Sequence, residues 1–334
     1  MPNPKPWLSF EDQLTQLKDR GLAITNDAKA LEYLGRVGYY RLSGYWYSFR
    51  QRSNLCCPLP STVVGKYKKG KTDRIILDDF KAGASFEKAI DLYVFDKKLR
   101  LLVLDAIERI EVALRFDISH LLGRTEACAY YKANAFHSTF SEDIDPKTGI
   151  TKHHDWLSRQ AKLINRSKEG FIKHNKDKYG LPIPIWVACE VWDFGTLSNL
   201  YGGLKEADQD EISTKYGIAN GRVFATWLRC LNYLRNVSAH HSRLWNRNMS
   251  VQPKKPNTGE APTFAAAWDD NHVQARTFLL LCIAQHLLNR INPTSSWWAR
   301  VKGHVQTCAD LDYLDLNLRG MGVMEGWDDW TFDS

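Results

Sequence analysis

The chain has 334 residues, 44% of them hydrophobic, enough apolar matter for one large core or two modest ones and too much for a disordered chain. No run approaches the roughly 18 to 20 unbroken apolar residues of a membrane span, and the N-terminus MPNPKPWLSFEDQ lacks the apolar stretch of a secretory signal, so a cytoplasmic protein with no membrane partner is expected. The net charge is +7, and seven cysteines show neither a CxxC pair nor zinc spacing, which points to reduced thiols and to no metal or other cofactor.

Helix signals dominate in chain order. Ser9 is placed to cap a first helix, with Asp12 at the capping-box position, Leu14 and Leu17 on the apolar face and Gly21 as its stop. A second helix is predicted from Asn26 to about Val37, with Leu31 and Leu34 inward. The aromatic run Tyr39 to Tyr47 reads as core or as a platform for unstacked bases, with Arg41 able to contact RNA. Residues 52–84 hold Pro58, Pro60, Gly65 and Gly70, which predicts an irregular connection or small hairpin.

From Ser85 to about Leu122, Phe95, Leu99, Leu102, Ala106, Ile110 and Ala113 recur at steps of three and four, the mark of a core helix that Gly123 would end. Weaker periodicity over 124–182 predicts a helical insertion with mobile loops. A short apolar helix from Pro184 through Trp192 should lead into Phe194-Gly195-Thr196-Leu197. Asn220-Gly221 should open another helix with Val223, Trp227, Leu231 and Leu234 inward, and 271–291 should form the last strong helix. No repeat of solenoid length is present, so the expected fold is an all-α bundle. The expected division is an N-terminal helical element over 1–84, a main helical domain over 85–292 with its insertion at about 124–182, and an acidic C-terminal segment over 293–334.

Charge is concentrated. Between Trp156 and Tyr179 seven basic residues, among them Arg159, Lys162, Arg166 and Lys173, face only Glu169 and Asp177. A shorter run holds Lys66, Lys68 and Lys69, whereas seven acidic residues follow Val305 against Arg319 alone. Basic runs with aromatics beside them suit phosphates and unstacked bases, and a solvated basic surface is the equal alternative. On these grounds Tyr40, Arg41, Lys66, Lys68, Lys69, Arg159, Lys162, Arg166 and Lys173 are the candidate RNA contacts.

The most informative segment is Leu234 to Arg247, where Arg235, Asn236, His240, His241 and Arg243 crowd the end of an otherwise apolar helix. Such groups are costly to bury without partners. On helical geometry Asn236, His240 and Arg243 would share a face, with Arg235 one position round. An imidazole can move a proton at neutral pH, and a guanidinium fork matches the charge that builds on a phosphate. RNA supplies its own 2'-hydroxyl nucleophile. One His and one Arg per chain are few for the reaction, so a homodimer with both sets facing a shared cleft is expected.

Arg-x4-His at Arg235 to His240, with Asn236 after the Arg, resembles the signature of HEPN-superfamily ribonucleases, and Glu111 with Arg115 resembles that group's second, weaker mark. More specifically the chain resembles the Abi-like family of bacterial abortive-infection proteins. The matching stretches are Arg20-Gly21, Tyr39 to Tyr45, Leu92 to Asp96 with Leu99-Arg100, Glu108 to Arg115, Pro184 to Trp186 with Phe194 to Ser198, and Arg235 to Asn246. The resemblance implies a HEPN-type bundle and a metal-independent endoribonuclease of phage defence, leaving a 2',3'-cyclic phosphate and a 5'-hydroxyl and restrained by a bound small RNA. It assigns catalysis to Arg235, Asn236 and His240, with Glu111, Arg115, His241 and Arg243 in support. The competing reading is a non-catalytic RNA-binding protein within a ribonucleoprotein, since binding and cleavage use the same groups.

Two other patterns have plainer readings. Arg115 to His120 repeats the Arg-x4-His spacing, but Glu111 and Arg115 form a natural i,i+4 ion pair. His153-His154-Asp155 reads as a solvated turn rather than a metal site, and Cys189 with Glu190 as a buried thiol beside a rim carboxylate.

Overall fold

The computed structural model describes residues 6–58, 72–308 and 317–332, and the side chains of all of these except 54–58 and 72–75. They are mostly helical, with one two-stranded antiparallel sheet, which is the all-α class the periodicity predicts. The chain divides into a first unit of 1–98 with 304–318 and a second of 99–303 with 319–334. Among the described residues no helix is long and apolar enough to cross a membrane.

The first unit begins with α1 (Phe10–Asp19), α2 (Asp27–Arg36) and α3 (Tyr39–Trp46). The Ser9 hydroxyl accepts the Asp12 N–H at 3.1 Å and donates to the Asp12 carboxylate at 2.7 Å, which fixes where α1 starts. Gly21 ends it at φ +86°, a conformation that a side chain disfavours. Asn26 caps α2, and Ala30 with Leu34 forms its buried face while Leu31 stays half-buried. The aromatic run is divided: Tyr45 and Trp46 are core, whereas Tyr40 is 93% exposed. The strands β1 (Arg50–Pro58) and β2 (Thr72–Phe80) make the small hairpin, Arg50 opposite Phe80.

Helix α4 (Phe86–Thr125) is 40 residues long, about 60 Å at 1.5 Å per residue. Its buried positions include Leu99, Val103, Ala106, Ile107, Ile110 and Leu114, whereas Leu102 and Ala113 are only half-buried. Gly123 does not end it. A Cβ there would lie 3.3 Å from the Trp186 ring and 3.4 Å from Ile185, so this glycine serves close approach rather than termination.

The second unit continues with α5 (Ser138–Ser141), α6 (Lys152–Arg166), α7 (Gly170–Tyr179), α8 (Ile185–Ala188), α9 (Phe194–Gly203), α10 (Glu206–Lys215) and α11 (Gly221–Ala239). The short apolar helix expected from Pro184 through Trp192 is α8 with a 3-10 turn after it at Cys189–Val191, and Asp193 then caps α9 by accepting from the Thr196 N–H at 2.8 Å. His153 corrects the solvated-turn reading: it lies in the first turn of α6, 3% exposed, its Nε2 2.8 Å from the Tyr130 carbonyl oxygen. After α12 (Asn271–Gln274) comes α13 (Thr277–Ile291), buried on every face from Thr277 to Asn289 and therefore the central element. It is not the last helix, since α14 (Trp297–Gln306) follows, and the Trp297 Nε1 donates to the Leu102 carbonyl at 2.8 Å. Helix α11 packs on α9, α10 and α13.

Cys189, Cys230, Cys282 and Cys308 are buried free thiols, and burial pushes the Cys189 thiol up to about 11. His286 on α13 is buried with its Nε2 2.9 Å from the Tyr216 carbonyl oxygen, and desolvation holds its imidazole down at about 4 against the ordinary 6.5. Because the unfolded imidazole takes its proton at higher pH, the stability this site contributes is complete above about 6.5 and is lost as pH falls toward 4. The loss is about 3 kcal/mol. Denaturant melts between pH 7.5 and 4.5 should therefore fall more steeply for the native chain than for His286→Gln, whose amide keeps a donor to Tyr216. Parallel curves would refute that assignment.

Candidate functional site

The site is built on the last turns of α11. The Asn220 Oδ1 caps the helix by accepting from Arg222 and Val223 N–H at 3.0 and 3.1 Å, and Phe224, Trp227, Leu228, Leu231 and Leu234 then bury one side of it. The buried side continues through Val237 and Ser238, and beside it Arg235 and Asn236 are half-buried. The Asn236 Oδ1 accepts from the Arg235 Nη1 at 3.2 Å. His240 follows Asn236 by one turn and is exposed.

The helix ends at Ala239 in a Schellman arrangement: the His241 N–H donates to the Ser238 carbonyl at 3.1 Å and the Ser242 N–H to the Val237 carbonyl at 3.0 Å. The position between them takes φ +56°, and it is His241, the one non-glycine at positive φ among the described residues. This turn redirects the chain, so Arg243 lies past the helix end and not on the face of Asn236 and His240 as helical continuation predicts. The Ser242 carbonyl accepts from the Arg100 Nη1 at 3.3 Å, and the Leu244 carbonyl from Thr277 at 2.8 Å, which anchors the following loop. His241→Gly should raise stability by up to about 1 kcal/mol and His241→Val should lower it by about as much, because a β-branched residue resists positive φ. Thermal melts of both variants check this.

Glu111 and Arg115 come from α4. The pair closes at 2.9 Å, and Arg115 also donates to the Trp192 carbonyl at 3.0 Å and meets Glu190 at 3.5 Å. Burial pushes the Glu111 carboxyl up, while the Arg115 and Arg235 guanidiniums pull it back down, in that order of strength. Arg235 thus lies within the electrostatic reach of the Glu111–Arg115 pair. Sequence reasoning missed Asn232 and Asp193. A Cβ on Gly195 would sit 3.4 Å from the Asn232 Oδ1 and 3.5 Å from the Asp193 Oδ1, so both reach the start of α9. Asn232 was legible as a polar residue three positions before Arg235, on the same side of the helix.

The structure therefore brings Arg235 and Asn236 together, sets Glu111 and Arg115 beside them, and leaves His240 and His241 exposed at the terminus. Arg235 and His240 are five positions apart, about 140° round the axis, so a single phosphate would reach both only at the helix end. Arg159, Lys162 and Arg166 recur at steps of three and four on α6 and are exposed, as is Lys173 on α7; Arg159 pairs with Asp155 at 2.8 Å. Tyr40 and Arg41 are exposed in the first unit. Lys66, Lys68 and Lys69 lie outside the described residues. His120 stacks on Phe116 at 5.5 Å, and His153 is committed to its carbonyl contact. Among the described residues no group of three or more His, Cys, Asp or Glu side chains could hold a metal ion.

Comparison with known proteins gives one family match: a family model described as Abi-like protein covers residues 32–246, nearly two-thirds of the chain and all of the site. No curated protein and no solved structure matches.

Proposed function

The chain belongs to the Abi-like family, and from that premise we propose that it is a phage-defence endoribonuclease whose chemistry lies at the end of α11. The observation that carries the reading is the guanidinium of Arg235, bonded to the Asn236 Oδ1 at 3.2 Å, on the helix end where His240 and His241 stand exposed. In the proposed reaction the RNA 2'-hydroxyl attacks the adjacent phosphorus. His240 takes its proton or gives one to the leaving 5'-oxygen, and Arg235 stabilises the non-bridging oxygens as charge builds on them. The products are a 2',3'-cyclic phosphate and a 5'-hydroxyl, and no metal ion takes part. Glu111 and Arg115 shape the electrostatics behind Arg235, and His241 and Arg243 flank the substrate path.

A second copy of the chain completes the site in this reading. Support comes from α4, where Val112 and Phe116 are 50% and 63% exposed beside Trp186, itself 52% exposed. Together with Arg115 and Glu190 they border a recess of about 790 Å³. An apolar face adjoining a cluster of charged side chains is the kind that a partner covers. The exposed cations of α6 suit a small RNA that restrains cleavage until infection, since phosphate contacts are electrostatic and salt-sensitive.

The test is incubation of end-labelled RNA with the pure chain in EDTA, with analysis of the product termini. Cleavage to cyclic-phosphate ends supports the reading. Cleavage that needs a divalent ion, or RNA binding with no product from any RNA tried, refutes the catalytic assignment, and the second outcome identifies the chain as an RNA-binding component of a ribonucleoprotein.

A further inference from the structure

Away from the end of α11, helices α5, α6, α9, α10 and α11 surround a recess of about 580 Å³, within the range of sites that hold a small ligand. Phe140, Trp156 and Leu204 give it an apolar lining. Five cations, Lys152, Arg159, Arg222, Arg229 and Lys254, surround it against two carboxylates, Asp155 and Glu206. The carboxylates hold Arg159 at 2.8 Å and Arg222 at 3.0 Å. Lys152, Arg229 and Lys254 have no ion-pair partner among the described residues. They come from three separate places in the sequence, the start of α6, the middle of α11 and the loop after it, so neighbours in the chain do not explain their meeting.

A second observation points inward. Ser198 lines the recess, is 3% exposed, and its Oγ has no hydrogen-bond partner among the described residues. A helical serine ordinarily returns its hydroxyl to a preceding carbonyl or to water, and a buried hydroxyl without a partner costs stability until something occupies it. The first turn of α6, the positive end of its helix dipole, opens beside it at Lys152.

We propose that this recess binds the phosphate groups of a single nucleotide, at a site distinct from Arg235 and His240. Arg229 and Lys254 take the phosphate charge, the Ser198 hydroxyl donates to a phosphate oxygen, and the base or sugar lies against the apolar lining. The phosphate belongs either to a free nucleotide or to the 5' end of an RNA strand.

Calorimetry of the full chain with ATP, AMP and adenosine tests the first source. Binding of one oligoribonucleotide with a 5'-phosphate or a 5'-hydroxyl tests the second. In at least one arm the phosphorylated ligand should bind more tightly than its phosphate-free counterpart. Arg229→Ala and Lys254→Ala should each weaken that binding about tenfold or more, as expected for lost charge-assisted bonds, and Ser198→Ala should weaken it several-fold. Arg229 and Lys254 are exposed, so both variants should melt with the native chain. Preference for the 5'-phosphorylated strand alone identifies the source as an RNA end. The proposal is overturned if neither arm distinguishes phosphate, or if the variants bind as the native chain does. Cleavage enters neither readout, so the result stands apart from the fate of the Arg235 mechanism.

Discussion

Replacing Arg235 with alanine is expected to slow RNA cleavage by about 10³-fold, the upper cost of removing one donor to a charge-bearing oxygen, while the melting temperature changes little. His240→Ala should cost between about 10² and 10⁴, the span of general acid–base catalysis. The two effects rest on different features. Arg235 is held at its neighbour Asn236 within the field of Glu111, so its fork arrives oriented, and Arg235→Lys should fail to restore the rate because an ammonium cannot present the same paired donors. His240 is exposed, and its loss should leave RNA binding intact. Removing Arg235 also removes one of the two cations that draw the Glu111 carboxyl downward, so that carboxyl should titrate still higher in Arg235→Ala. A variant of either residue that cleaves at the native rate ends the mechanistic proposal.

The largest stability effect is expected at Gly221, the first residue of α11. A Cβ there would lie 2.4 Å from the Gln209 Cβ, 2.6 Å from the Gln209 carbonyl carbon and 2.9 Å from the Asp210 backbone nitrogen. Two of those atoms are backbone of α10, so no rotamer change relieves the overlap. The Gly221 N–H also donates to the Asp210 carboxylate at 2.7 Å, and any displacement weakens that bond. Gly221→Ala should cost about 3 kcal/mol, the upper part of the usual range for overpacking. Because α11 carries Arg235 and His240 at its other end, activity should fall with stability. Denaturant melts give the energy, and an unchanged midpoint would show that α10 yields without cost.

Particular residues show how far the sequence could be read. The caps at Ser9, Asn26 and Asn220 and the periodicity of α4 were legible, because a cap or a stripe is decided within a turn or two of chain. The ion pair of Glu111 with Arg115 was legible for the same reason. Gly123 was misread: the signal for a stop is identical to that for a close approach, and only the Trp186 ring packed against it decides which applies. His153 was misread because its flanks look loop-like, while the acceptor that permits its burial, the Tyr130 carbonyl, lies 23 residues earlier. Arg243 was placed on the wrong face because the rule that continues a helix cannot foresee a histidine at positive φ.

What the sequence alone determined was the helical class, the starts of the principal helices and the concentration of Arg, Asn and His at the end of α11, since each follows from propensities and spacing along the chain. What only the tertiary structure decided was which of those groups meet. The half-burial of Glu111 near Arg235, the approach of Asn232 to the start of α9 and the assembly of Lys152, Arg229 and Lys254 around one recess all depend on helix packing. Packing is set by the fit of side chains that are distant in sequence, and no local pattern records it.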